Sequence, residues 1–141
     1  MTSIDFYTHC SDRYDVAARL VAKAFAAHDS VRVLTPDESA TADFDRRLWM
    51  APAIGFLPHC RLSGALAAET PILVDHALEH RGEAQVLINL HALPPPFFSR
   101  FERLVEIVSS EDAEVAAGRE RWKFYKSRGY ELRQHRLDAR E

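Results

Sequence analysis

Glycine is scarce in this sequence, and none of it stands where a phosphate-binding loop would need it. The five glycines are at 55, 64, 82, 118 and 129. The turn after the first predicted strand, Tyr7-Thr8-His9-Cys10-Ser11-Asp12, contains none. Without a G-x-G-x-x-G or P-loop pattern the backbone cannot close on a pyrophosphate, which excludes the usual nucleotide site. Cysteine is equally sparse. Cys10 and Cys60 make no disulfide framework and read as reduced cytosolic thiols. The His9-Cys10 and His59-Cys60 pairs offer one ligand each if strand-like, because neighbouring side chains point to opposite faces. Asp75-His76 and His80 put two imidazoles on one helical face, with no third ligand at useful spacing. A structural zinc takes four ligands, so neither a metal nor a cofactor is expected. No G-x-S-x-G elbow occurs, and Cys10 alone reads as a small buried hydrophobe; no catalytic residue and no enzyme are predicted. No apolar run approaches the ~20 residues that span a bilayer, and Met1 to Phe6 has no basic stretch leading into one. The expectation is a soluble, cytoplasmic protein without membrane contact.

What remains is ordinary globular material. The length of 141 residues suits one domain over 1–141. Short β-like runs alternate with helical periods: strands at Ser3–Tyr7, Val31–Leu34, Ile72–Val74, Val86–Leu90, Val105–Ser109 and Tyr130–Leu132, and helices at Asp12–Ala27, Thr35 toward Trp49, and Glu111–Arg128. Thr35 is read as the cap of the second helix, with Pro36 at its first position. A further helix is expected from Phe97, after Pro94-Pro95-Pro96 stops the preceding element, carrying Phe98, Phe101 and Leu104 on one side. Residues 50–70 read as a long connection. This order predicts an α/β fold: a Rossmann-like, mostly parallel sheet flanked by helices, without the nucleotide-binding loop.

Two segments rise above that background. Leu48-Trp49-Met50-Ala51-Pro52-Ala53-Ile54-Gly55-Phe56-Leu57-Pro58-His59 concentrates large apolar residues in a turn-rich stretch. It reads either as a loop folded over the core or as a docking patch with aromatic anchors. The second segment is the last helix. Val115, Arg119, Trp122, Lys123 and Lys126 fall on one face at helical spacing. Residues 119–136 hold seven Lys/Arg against two Glu, a local +5 within a chain of net charge −3. A focused basic patch with an aromatic ring suits an acidic peptide ending in an aromatic residue, or single-stranded nucleic acid that stacks. The overall negative charge weighs against nucleic acid as the general partner.

These segments carry a family resemblance. Phe6-Tyr7, Arg32-Val33-Leu34, Leu48-Trp49 with Pro52, Phe56, Pro58 and His59, Leu87-Ile88-Asn89-Leu90, Glu106-Ile107-Val108, Arg119-Glu120-Arg121-Trp122-Lys123, Tyr125 and Gly129-Tyr130 together resemble the chi-subunit family of the bacterial DNA polymerase III holoenzyme. The resemblance implies a non-catalytic, Rossmann-like adaptor of the clamp loader that touches DNA only indirectly. It implies binding of the acidic C-terminal tail of single-stranded DNA-binding protein through Val108, Arg119, Trp122, Lys123 and Lys126. It also implies docking on the psi subunit, or another clamp-loader component, through Trp49 and Phe56. Trp122 stands where a well-known member of the family carries Tyr and Lys126 where it carries Arg; ring and charge are kept, a bidentate contact at 126 is not.

Overall fold

Apolar side chains alternate between two faces along most strands, and that alternation decides the architecture. The computed structural model describes residues 2–50, 59–60, 70–80 and 84–137. In chain order it contains β1 (Ser3–Cys10), α1 (Arg13–Ala26), β2 (Val31–Leu34), α2 (Glu38–Met50), β3 (His59–Cys60), β4 (Ile72–Asp75), β5 (Val86–Asn89), β6 (Arg103–Ser109), α3 (Asp112–Ser127) and β7 (Leu132–Arg136). The strands form one sheet in the order β3-β4-β2-β5-β6-β1-β7. Every pairing among them is parallel. The expected helix-flanked α/β sheet is therefore present.

On one face Val31, Val33, Val74, Ile88, Val105 and Ile107 pack under Ala17 and Val21 of α1 and Phe44 and Leu48 of α2. On the other, Ile4, Phe6, Leu87, Leu104 and Val108 pack under Tyr125 of α3 and the aromatic segment Phe97, Phe98 and Phe101. The sheet is thus a middle layer, with α1 and α2 on one side and α3 on the other.

Several boundaries differ from the sequence reading. The cap of α2 is Asp37, whose Oδ1 accepts from the Ala40 amide at 2.8 Å. Thr35 is buried with its hydroxyl bonded to that of Thr41. The helix expected from Phe97 is a single 3-10 turn, Phe98–Arg100. Its aromatic residues act as separate anchors in the core, and Leu104 belongs to β6. The last strand begins at Leu132, not Tyr130. Most of the 50–70 connection lies outside the described residues. Asp75, His76 and His80 are not on a helix: Asp75 ends β4 and the two histidines follow in irregular backbone.

Arg32 explains how that irregular segment holds the sheet. Its side chain is wholly buried on the α3 side of β2. The guanidinium donates to the carbonyls of Ala77 at 2.7 Å, Glu79 at 2.8 Å and Asp75 at 3.3 Å. It also bonds His80 Nδ1 at 3.2 Å and lies 5.1 Å from the Phe97 ring centroid. One cation thus replaces the backbone partners that a crossover helix would have supplied. Burial, with the charges of Arg32 and Arg100, pushes the His80 imidazole down to about 4. Unfolded, the ring titrates near 6.5, so between those values the unfolded chain binds more protons. Stability should fall as pH drops from about 6.5 toward 4, by on the order of 2–3 kcal/mol. Denaturation midpoints from pH 7.5 to 4.5 should show a smaller loss in His80→Asn, which keeps an acceptor near the Nδ1 position. Parallel curves for the two proteins would exclude His80 as the cause.

Candidate functional site

The last helix is placed on the sheet by a buried polar network. Glu106 of β6, wholly buried, takes Arg121 Nε at 2.8 Å and Asn89 Nδ2 at 2.9 Å, together with the Tyr125 hydroxyl. Arg121 reaches on to the Ala92 carbonyl at 2.9 Å. Burial raises the Glu106 carboxyl, while the charge of Arg121 and the bonds from Tyr125, Asn89 and Arg121 oppose the rise. Burial and the neighbouring Glu106 likewise raise the Tyr125 phenol. Gly118 lets α3 come close: a Cβ there would sit 2.8 Å from Val108 Cγ2. At the far end, Gly129 takes the left-handed φ of +89° that releases the chain toward β7.

Between α3 and the edge of the sheet lies a cleft of about 320 Å³. Phe6, Val108, Val115 and Trp122 give it apolar walls, and Thr8, His9, Ser109, Arg119 and Gln134 give it polar ones. Trp122 is half-buried, edge-on to Phe6 with ring centroids 5.0 Å apart. Among the described residues no carboxylate lines the cleft. Of the residues predicted for tail binding, Val108, Arg119 and Trp122 meet here. Lys123 and Lys126 do not line it; both stand exposed along α3. Lys123 lies 3.5 Å from Glu120, both about three-quarters exposed, and an exposed pair of that kind is worth little.

On the sheet side of this cleft sequence reasoning named Val108 of β6 and missed the residues of β1 and β7. The parallel register of β1 with β6 is interrupted between Thr8 and Cys10, and His9 takes a φ of +64°. That bulge keeps both Thr8 and His9 on the cleft side and sends Cys10 into the α1 core. Gly118 had a visible signal, a glycine within a helix. The bulge had none.

The crevice at the carboxyl ends of the strands is a different matter. There β1 leaves toward α1 on one face and β6 toward α3 on the other, the place where open α/β sheets hold their ligands. In this chain it is a small pocket of about 240 Å³ whose lining includes Arg13, Leu90, Ile107, Glu114 and Arg121. Arg13 Nε pairs with Glu114 at 2.8 Å and its Nη1 donates to the Leu90 carbonyl at 3.1 Å. Asp112 and Glu114 occupy the first turn of α3. Where a phosphate would need bare amides and positive potential, the chain supplies its own carboxylates.

Trp49, predicted for a second docking surface, closes α2 on the opposite side of the sheet from α3. It is 57% exposed, with its ring 4.8 Å from that of His59. Phe56 lies outside the described residues. Among the described residues no three His, Cys, Asp or Glu side chains are grouped to hold a metal ion. None of the described helices is long and apolar enough to cross a membrane.

A parallel α/β layer whose strand-end crevice is lined by the Arg13–Glu114 ion pair, with an open apolar cleft beside α3 that has Arg119 in its wall, defines a sheet of the nucleotide-binding type without the nucleotide loop. Comparison with known proteins gives it a place. The family described as DNA polymerase III chi subunit, HolC, matches residues 1–133, and the chain belongs to that family. It is similar to the DNA polymerase III subunit chi of Pseudomonas aeruginosa, 34% identical over 141 residues, covering 97% of this chain and 98% of the relative. The subunit chi of Haemophilus influenzae is 27% identical, covering 84% and 83%. That of Escherichia coli is 25% identical, covering 83% and 80%. The chain is therefore a replication protein, an accessory subunit of the polymerase holoenzyme with no catalysis of its own.

Proposed function

We propose that the α3 cleft binds the acidic C-terminal tail of single-stranded DNA-binding protein, and that the chain joins this tail to the clamp loader through psi or another of its components. The observation that carries the reading is the meeting of Val108, Trp122 and Arg119 around one cleft with apolar walls and, among the described residues, no carboxylate. A terminal aromatic ring fits between Trp122 and Val108, and Arg119 faces the carboxylates with a planar guanidinium. Lys123 and Lys126, exposed beyond the rim, attract the acidic residues that precede the ring. Trp49, on the other side of the sheet, leaves the replisome partner free to bind without crossing the tail.

Few charge pairs and one ring place the affinity in the micromolar range, about −8 kcal/mol. A fluorescent peptide copying the last ~10 residues of the host tail protein is the probe for this mode of short acidic-motif recognition. Trp122→Ala should weaken it at least tenfold, the usual minimum for a buried aromatic anchor of roughly 2 kcal/mol. Lys123→Ala should weaken it less, and its effect should vanish as salt rises, since exposed charges are screened. Failure of the unaltered protein to bind the peptide at hundreds of micromolar would refute the tail assignment. Tight, salt-sensitive binding of a single-stranded oligonucleotide instead would reassign the cleft to nucleic acid.

A further inference from the structure

The acidic-tail reading leaves one question at the cleft: what meets the terminal carboxylate itself. A ring seated between Trp122, Val108 and Phe6 carries its own α-carboxylate only two bonds beyond its Cβ. That group then meets the cleft's polar wall, which Lys123 and Lys126 do not line. The donors on that wall include Arg119 on α3 and His9 on β1.

His9 is held for such a task by a relay across the sheet edge. Gln134 Nε2 on β7 donates to Thr8 Oγ1 at 3.0 Å. The Thr8 hydroxyl in turn bonds His9 Nδ1 at 2.8 Å, with the direction set by the imidazole tautomer. An imidazole that accepts at Nδ1 carries its proton on Nε2 when neutral, and there it is a donor. No bond to Nε2 is present among the described residues. The left-handed backbone at His9 is what turns the ring to the cleft side at all. A non-glycine residue at φ +64° costs free energy, and such positions gather at functional sites.

We propose that His9 is a carboxylate-binding residue, whose Nε2–H and the guanidinium of Arg119 hold the α-carboxylate of an aromatic-terminated peptide from the two walls of the cleft. The ligand class is a free C-terminus, as distinct from acidic side chains in general. Thr8 and Gln134 act through His9 as positioning residues.

The test is a cycle of two proteins and two peptides: unaltered protein and His9→Gly, each titrated with the tail peptide as free acid and as C-terminal amide. Glycine favours the backbone that the bulge requires, so the variant keeps its fold, which a thermal melt verifies. With the free acid, His9→Gly should bind about tenfold more weakly, the scale of one hydrogen bond to a charged group. With the amide, the difference between the two proteins should shrink to about threefold or less, because a neutral carbonyl accepts a weaker bond from His9 than a carboxylate does. Equal affinity of both proteins for the free acid would overturn the proposal, and so would an equal loss with both peptides. The tail assignment would survive either result. It falls, and this proposal with it, only if the unaltered protein binds neither peptide.

Discussion

Arg32→Met is expected to remove about 3–5 kcal/mol of stability, the largest effect of any single change on the β2 side of the molecule. Methionine keeps much of the apolar stem against Phe97 and adds no steric demand. What it loses is the set of bonds to the carbonyls of Asp75, Ala77 and Glu79 and to His80 Nδ1. The Asp75 carbonyl keeps the Thr35 amide at 3.1 Å, but the Ala77 and Glu79 carbonyls and a buried ring nitrogen would lose these bonds, at about 1–3 kcal/mol for each bond not replaced. Burial lowers the guanidinium to about 10, so Arg32 is still a cation at neutral pH, and its charge favours the carbonyl dipoles around it. Arg32→Lys should rescue only partly, because one ammonium cannot span carbonyls that the planar fork reaches together. Urea denaturation followed by circular dichroism measures both variants. A loss below about 1 kcal/mol for Arg32→Met would mean that the 75–80 segment finds other partners and that this cation is not its organiser.

The elements most legible in the sequence are those whose signals are local. The period of α3, its acidic first turn and Gly129 placed the helix within a residue or two, and β2 was read at its observed bounds, Val31–Leu34. The misread elements depend on distant neighbours. β7 has the sequence Leu-Arg-Gln-His-Arg, with mostly exposed side chains, and it is a strand because β1 offers it a parallel edge. Charge pairing then fixes it: Arg133 and His135 converge with Arg103 on the buried Asp5 carboxylate, at 2.9, 3.1 and 2.9 Å. Burial opposes ionisation of Asp5, and these partners outweigh it, so the carboxyl sits below its usual range. The site divides in the same way. Arg119 and Trp122 follow from helical spacing, and Val108 followed from family resemblance. The bulge at His9 and the Gln134–Thr8 relay need three strands assembled before they exist. Lys123 and Lys126 share the helical face of Arg119, yet a face wide enough to hold all three extends past the cleft.

The pair that seats α3 should be the most costly to break at the α3–β6 interface. Arg121 is 4% exposed and Glu106 not at all, and their contact at 2.8 Å is the charge balance of the α3–β6 interface. Arg121→Met should cost about 3–5 kcal/mol, since it leaves a carboxylate buried with only the neutral donors of Asn89 and Tyr125. The loss should depend on pH in a defined direction. Burial already raises the Glu106 carboxyl, and without Arg121 the rise is larger. A buried acid whose folded pKa lies above its unfolded one favours the folded state at low pH, and that support is lost as pH rises past the unfolded value near 4.5. Arg121→Met should therefore be closer to the unaltered protein at pH 5 than at pH 8. Adding Glu106→Gln removes the charge while keeping a partner for Tyr125, so the double variant should recover most of the loss and its pH dependence. Because α3 carries Arg119 and Trp122, the same double variant should bind tail peptide better than Arg121→Met alone. A pH-independent loss, or a double variant no more stable than the single one, would place the cost in packing around the Arg121 stem instead of in the orphaned charge.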